Sequence, residues 1–338
     1  MVSTRRTSMN VDRREKHWKN DPKWQCILAK ASDQSQTIHG DVVIHSYQSR
    51  QDPYFTSSYF FETERGVVLV DTQIYYSAAQ ELWDAIKSKT SGNIFAIINT
   101  HAHPDHYFGN MLFRKVAPNA TIITSAGVLA DMHATAAQRV AKTRKEWGDE
   151  VPSNPADLVY PDFGFERTLT LAFDKITLEL KEVGPAEAPV QVVGWIPQHR
   201  ALIAADILQN KQHHYFSDRT TANWYRILQE FSEMNPRFVL TGHQGIAGKE
   251  LIEETKHWFA TFLGLMSDVA PRDVDPENID TIDAKSRSYV VSEMQRRFPD
   301  WFDPYYYEGK TVLEQCIDGH RSEQIGAQVL AALGSKAG

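Results

Sequence analysis

Thr100-His101-Ala102-His103-Pro104-Asp105-His106-Tyr107-Phe108-Gly109-Asn110 follows directly on the apolar run Ile94-Phe95-Ala96-Ile97-Ile98-Asn99. A short, β-branched apolar run reads as a buried strand, so the polar residues sit in the loop leaving its C-terminal end. Four side chains able to hold a metal fall within six residues. In extended chain, alternate residues point the same way. His101 and His103 can therefore grip one ion, while Asp105 and His106, past the turn at Pro104, face a second. His-x-His alone is common in polar loops; His-x-His-x-Asp-His behind a strand is a far narrower pattern.

Outward from this loop, the same pattern of strand, polar strand end and helix recurs. Upstream, Val42-Val43-Ile44, Ser58-Tyr59-Phe60-Phe61 and Val67-Val68-Leu69-Val70 predict three strands, with turns at Asp52-Pro53 and Gly66. Asp71-Thr72 closes the third, and residues 78–88 predict an amphipathic helix. Downstream, a strand at Thr121-Ile122-Ile123 precedes a helix over residues 126–147. Residues 148–165 carry Pro152, Pro155 and Pro161 and read as a loop long enough to cover a site. Its aromatics, Tyr160, Phe163 and Phe165, serve equally well to pin it to a core.

A second group of strands is predicted at residues 168–171, 176–180, 190–196 and 201–205. A helix at 224–233, a last strand at 237–240 ending in Thr241-Gly242-His243, and a long helix at 249–265 follow. Two groups of strands, each edged by helices, specify a layered α/β body. Beyond Pro271-Arg272-Asp273 the spacing is helical throughout, over 290–298 and 321–333, which places a boundary near residue 270. Residues 1–35 are polar, with Trp18 and Trp24 as anchors, and read as an arm. The expected organisation is an arm at 1–35, a body at 36–269 and a helical extension at 270–338.

Bulk properties exclude several classes. The 338 residues are 42% apolar and 23% charged with a net charge of −7, and no Lys/Arg cluster marks a nucleic-acid surface. No apolar run approaches the roughly 18 residues of a membrane span. The start, Met1-Val2-Ser3-Thr4-Arg5-Arg6, lacks the apolar segment of a secretory signal. Cys26 and Cys316 are far apart and make no disulfide framework. A cytoplasmic setting is expected.

Over residues 37–265 the chain resembles the metallo-β-lactamase superfamily, in Asp71, His101-x-His103-x-Asp105-His106, Asp206 and Gly242-His243. The resemblance implies a four-layer αββα sandwich with a binuclear metal centre at one edge. It implies that Asp206 bridges two ions, that His243 completes the second site with Asp105 and His106, and that Asp71 holds the metal loop without touching metal. Glu187, in Gly184-Pro185-Ala186-Glu187-Ala188-Pro189, stands where the third imidazole of the first site belongs. The alkylsulfatase-like branch is similar there, and its sulfate-holding arginine corresponds to Arg219. That branch has Glu where this chain has Asp206, and its large lipid-carrier-like C-terminal domain does not fit into the residues after 270.

Sites of this composition define the chemistry. A first site of His101, His103 and Glu187 leaves a position open for solvent. Two divalent ions would be balanced by Asp105, Glu187, Asp206 and one hydroxide. Zinc is the default, and a carboxylate in the first site makes manganese or iron competitive. Bound water drops from a pKa of about 15.7 to near 7. The expected reaction is hydrolysis of a small-molecule ester, lactone, thioester or sulfate ester by a metal-bound hydroxide, with Asp105 and Asp206 as catalytic carboxylates.

Tyr107, His214, Tyr215 and Arg219 are candidate substrate contacts. Against that stand packing for the tyrosines and a surface ion pair with Asp218 or Glu230 for Arg219. His213, adjacent to His214, could likewise meet substrate or metal, whereas His17, His39, His45, His133, His199, His257 and His320 are read as structural. A competing class is an iron-dependent oxidoreductase of the persulfide dioxygenase type. No flavodoxin-like module follows residue 270 to support a flavodiiron protein. A third class is an idle ligand-binding relative. Trp301-Phe302 and Tyr305-Tyr306-Tyr307 are a candidate lid or homodimer contact.

Overall fold

The computed structural model describes residues 36–49, 55–215, 221–269, 283–303, 305–306 and 310–319. The arm at 1–35, Arg219 and the helix expected over 321–333 lie outside the described residues.

The chain first builds a seven-stranded sheet in sequence order. Strands β1 (Thr37–Ile38), β2 (Ile44–Gln48), β3 (Ser57–Thr63) and β4 (Gly66–Val70) form an antiparallel meander. Helix α1 (Tyr76–Lys89) then returns the chain to β5 (Ile94–Ile98), parallel to β4. The short helices α2 (Pro104–Tyr107) and α3 (Asn110–Val116) lead to β6 (Thr121–Ser125), also parallel. Helix α4 (Ala126–Trp147) precedes the edge strand β7 (Phe163–Phe165).

The second sheet has six strands in the order β13-β12-β11-β10-β9-β8. Its antiparallel part is β8 (Thr168–Ala172), β9 (Thr177–Val183), β10 (Gln191–Ile196) and β11 (Ala201–Gln209). Helix α5 (Thr221–Met234) crosses to β12 (Phe238–His243), which lies parallel to β11. A two-residue edge strand β13 (Ile246–Ala247) precedes α6 (Glu250–Val269).

The layering follows from a period of two in the strands. In β4, Val68 and Val70 join the core between the sheets, where they meet Leu178, Leu180, Val192, Ile203 and Leu240 of the second sheet. Val67 and Leu69 of the same strand face outward, against Leu82 and Ile86 of α1 and Phe113 of α3. On the far side, Leu202, Ala204 and Val239 pack against Trp224, Leu228, Trp258 and Phe262. Strands covered on both faces read as continuous apolar runs, and the two interleaved sets produce the four-layer αββα sandwich.

The C-terminal helices α7 (Ala284–Arg297) and, further on, α8 (Val312–Gly319) extend the outer layer through Val290, Met294, Val312 and Leu313. The purely helical reading of this region needs correction, because β14 (Tyr305–Tyr306) pairs with β15 (Lys310–Thr311) between those helices. Consecutive tyrosines favour extended chain, and the helical period around them masked it. The loop expected over 148–165 likewise ends in strand β7. No helix among the described residues is long and apolar enough to cross a membrane.

Leu69 is completely buried between sheet and helix, whereas Phe163 is 48% exposed on the edge strand. Leu69→Ala should therefore lower unfolding stability by about 2–5 kcal/mol, and Phe163→Ser should change it by about 0.5 kcal/mol or less, both read by denaturant melts.

Candidate metal centre

Asp71, the 101–106 loop and His243 stand at strand ends, whereas Glu187 lies in the loop between β9 and β10 and Asp206, expected at a strand end, lies within β11, which continues to Gln209. Asp71 follows β4 with a left-handed backbone, φ 59°, a conformation that aspartate tolerates better than most residues. Its carboxylate accepts the Thr100 N–H and the Thr100 hydroxyl, each at 2.8 Å. The same carboxylate lies 2.8 Å from His106 Nδ1. This fixes the far nitrogen of His106 toward the centre, as an acidic partner does for many ligating histidines.

The loop is held from beneath as well. The His106 carbonyl accepts from Thr72 N–H at 3.0 Å and from Asn99 Nδ2 at 3.1 Å. Asn110 Nδ2 donates to Asn99 Oδ1 at 2.8 Å, and Thr72 Oγ1 donates to Asn110 Oδ1 at 3.0 Å. Gly109 closes the loop, since a Cβ there would stand 1.8 Å from the Thr72 carbonyl oxygen.

Two groups of candidate ligands result, and the ligand atoms within each lie within 4.8 Å of one another. His101, His103, Glu187 and Asp206 form the first; Asp105, His106 and His243 form the second. His101 Nε2 is 3.0 Å from His103 Nδ1 and 3.7 Å from Glu187 Oε2, and His103 Nδ1 is 3.1 Å from Glu187 Oε1. His106 Nε2 lies 3.2 Å from Asp105 Oδ2, and His243 Nε2 lies 3.7 Å from that same oxygen. Asp206 touches both groups, at 3.8 Å from His101, 3.4 Å from His106 and 2.9 Å from His243. Gly242 lets Asp206 in: a Cβ at that position would stand 1.7 Å from Asp206 Oδ1.

The donor set suits divalent cations. Asp71, Glu187, Asp206, His101, His106 and His243 are all buried. Among the described residues His106 Nε2 and Asp206 Oδ1 make no well-formed hydrogen bond and have only ion-pair contacts, with each other and with Asp105, an arrangement that leaves room for a bound cation. Burial holds His101 well below its usual value and pushes His103 down to about 3, so both are neutral and ligand-ready at pH 7. Burial opposes charge on His106 too, but Asp105, Asp206 and Asp71 outweigh it and raise this group well above its ordinary range. His243 is raised in the same way against burial, chiefly by Asp206. Burial alone would raise the two carboxylates, yet His106 and His243 beside Asp105, and His243, His106 and His101 beside Asp206, hold them down. The same carboxylates that favour protonated His106 and His243 would equally favour a bound cation.

Several contributors carry no local signal in the sequence. Thr56 donates its hydroxyl to Asp105 Oδ2 at 2.8 Å from 49 residues away. Gln191 Nε2 donates to Glu187 Oε2 at 3.2 Å, and Gln209 Nε2 to Asp206 Oδ2 at 3.4 Å. Gln191 and Gln209 stand at the ends of apolar strands, where a lone amide is a usable sign; Thr56 has none.

The four candidate substrate contacts fall in different places. Tyr107 is buried in the core between the sheets, and among the described residues its hydroxyl has no hydrogen-bond partner. His214 is buried among Trp224, Trp258, Phe259 and Trp301, with ring centroids 5.0–5.7 Å away, and neither ring nitrogen has a hydrogen-bond partner among the described residues. Tyr215 is half-buried against the outer helical core. Arg219 lies outside the described residues. Of the histidines read as structural, His45 stacks on Phe60, His133 stacks on Tyr160, and His199 Nε2 lies 2.7 Å from the Val42 carbonyl.

A sandwich of two sheets with imidazoles and carboxylates converging at strand ends defines a class of metal-binding α/β proteins. The sequence model of the metallo-beta-lactamase superfamily matches residues 51–251, and the chain belongs to that superfamily. A metallo-beta-lactamase type 2 from Bacteroides fragilis is 31% identical over 104 residues, a match that spans 29% of this chain and 42% of that protein. A beta-lactamase domain protein from Burkholderia ambifaria shares the fold with a TM-score of 0.61 at 16% identity, over 89% of each chain. A metallo-beta-lactamase from Pontibacter korlensis superposes with a TM-score of 0.50 at 19% identity, over 65% of this chain and 96% of that one.

Gly242→Ala should displace Asp206 and weaken metal binding by about tenfold or more with the circular-dichroism spectrum retained; wild-type affinity would refute the close-approach argument. A second expectation concerns pH. Burial pushes His213 and His214 down from the usual 6.5 to about 3. Between those values the unfolded chain binds protons that the folded chain refuses, so stability falls as pH is lowered through this window. In chelator-treated protein, His214→Phe should make the thermal midpoint fall less steeply below pH 6.5.

Proposed function

We propose that this chain is a binuclear metal-dependent hydrolase that cleaves an ester-type bond in a small molecule: a carboxylic ester, lactone, thioester or sulfate ester. One observation carries the reading, namely that Asp206 stands between two separate groups of ligands and within 4 Å of an imidazole from each. In this proposal His101, His103 and Glu187 hold one ion, Asp105, His106 and His243 hold the other, and Asp206 bridges them. Divalent ions there lower the pKa of water toward neutrality and polarise the electrophile.

The chain's own residues do the remaining work. Asp105 and Asp206 stay ionised at neutral pH, so they neutralise cation charge and accept hydrogen bonds from attacking water. Asp71 keeps the His106 ring turned inward, and Thr56 keeps one Asp105 oxygen in place. Two neutral imidazoles in the first group leave it with a single carboxylate partner of its own, Glu187. Tyr215 and Arg219 are the proposed substrate contacts nearest the strand end that carries Asp206 in sequence, with Tyr107 and His214 acting from buried positions.

The carboxylate at Glu187 also favours a second reading. Two histidines and one carboxylate are the ligand set of mononuclear iron oxygenases, so an iron-dependent oxidoreductase of the persulfide dioxygenase type is the alternative. The second group of ligands argues for hydrolysis, because a mononuclear site needs no such partner.

His103→Ala and Asp206→Ala should each lower hydrolysis at least about 100-fold and reduce metal content in a folded protein. The assay panel comprises carboxylic, thio and sulfate esters, lactones and a β-lactam, the last prompted by the Bacteroides fragilis relative. Glu187→Gln should weaken the first ion by about 10- to 100-fold. Iron in the purified protein with oxygen consumption would decide for the oxidoreductase, and undiminished hydrolysis in either alanine variant would end the proposal.

A further inference from the structure

The C-terminal segment after α7 approaches the centre by two routes, and both end on the second group of ligands. Phe302 is buried, and its ring meets that of Phe55 edge-on, with centroids 5.6 Å apart at 78°. Phe55 directly precedes Thr56, the residue that donates to Asp105. It has a left-handed backbone, φ 54°, and is buried to 1% exposure. A bulky side chain avoids that conformation and keeps it only where neighbours over-determine it. Here the neighbours are the Phe302 ring and the Gln244 N–H, which donates to the Phe55 carbonyl at 3.0 Å.

The second route runs through the backbone. Phe302 forms a parallel bridge with Gln212: its N–H donates to the Lys211 carbonyl at 2.7 Å, and its carbonyl accepts from His213 N–H at 2.8 Å. The loop so held is tied to His243, because Asn210 N–H donates to the His243 carbonyl at 3.2 Å. Asn210 Nδ2 donates to the Gln244 carbonyl at 3.1 Å, and Gln244 Nε2 donates to Gln212 Oε1 at 3.4 Å. Thr56 closes the circuit by bridging to His243 itself.

We propose that Phe302 is a positioning residue for the second metal site, so that the C-terminal segment sets the affinity of that site by holding Phe55–Thr56 and the 210–213 loop against Asp105 and His243. The inference rests on the metal-binding reading above. Without the Phe302 ring, Phe55 loses what keeps it in the left-handed region, the Thr56 hydroxyl moves, and Asp105 loses its donor. A partner that orients a metal-ligating group governs affinity without touching the ion.

The test is a zinc titration of the chelator-treated full chain, with a competing chromophoric chelator reading both affinities. Wild type should bind two ions. Phe302→Ala should leave the tighter affinity unchanged and weaken the other by about 10- to 100-fold. Thr56→Val should produce the same selective loss, and the double variant should be no weaker than the worse single one, because both act along one path. Phe302→Leu, which keeps most of the buried volume, should recover part of the loss and covers the case in which the alanine variant does not fold. Val312→Ala removes buried volume from the same outer layer and should lower the thermal midpoint while both affinities stay put. Equal weakening of both ions in Phe302→Ala and Phe302→Leu, wild-type affinities in these variants, or additive losses in the double variant would each overturn the inference. A wild-type chain that binds no zinc would instead fail the metal-centre reading itself, and this inference with it.

Discussion

Asp206 is 2% exposed and has three imidazoles within 3.8 Å. A carboxylate so far from water is tolerable only with positive charge beside it, and this requirement organises the rest of the molecule. Asp105 and Asp206 favour the protonated forms of His106 and His243, which places that charge beside them. Divalent cations bound there would serve the same end and would displace those protons. Asp105, beside His106 and His243, shares this dependence.

Holding several charged groups together in a dry site needs a scaffold that does not yield. The two sheets supply it by presenting strand ends at one edge, with β4 and β5 bringing Asp71 and the 101–106 loop and β11 and β12 bringing Asp206 and His243. The apolar strands behind are buried on both faces, so sliding one of them by a residue would turn a core side chain into the wrong layer. Fine adjustment comes from short polar contacts: Thr100 on Asp71, Thr56 on Asp105, Gln191 on Glu187. Each removes a degree of freedom from a group that must point at the centre.

The outer layer on the side of the second sheet is aromatic, and it approaches the centre through the loop that leaves β11 and through the Phe302–Phe55 contact. His213 and His214 sit in that layer as neutral imidazoles, one accepting from Trp258 Nε1 at 2.8 Å and the other enclosed by rings. Trp301 and Phe302, which on composition alone read as a candidate lid or dimer contact, turn inward onto this layer and onto Phe55.

The sequence by itself determined that four candidate ligands cluster in one loop, since His101, His103, Asp105 and His106 are neighbours in the chain and their geometry follows from strand and turn. It also determined the αββα layering, because apolar runs and helical periods are local patterns, and the family resemblance carried Asp71, Glu187, Asp206 and His243. Tertiary structure alone decided which of these meet and at what distance, what holds them, and where the aromatics point. Thr56 lies 49 residues from the carboxylate to which it donates, Gly242 matters because Asp206 crosses over it, and Phe302 meets Phe55 and the loop after β11 across long stretches of chain. Such contacts join segments that no local period or spacing connects, so they come into being only when the two sheets close on one another.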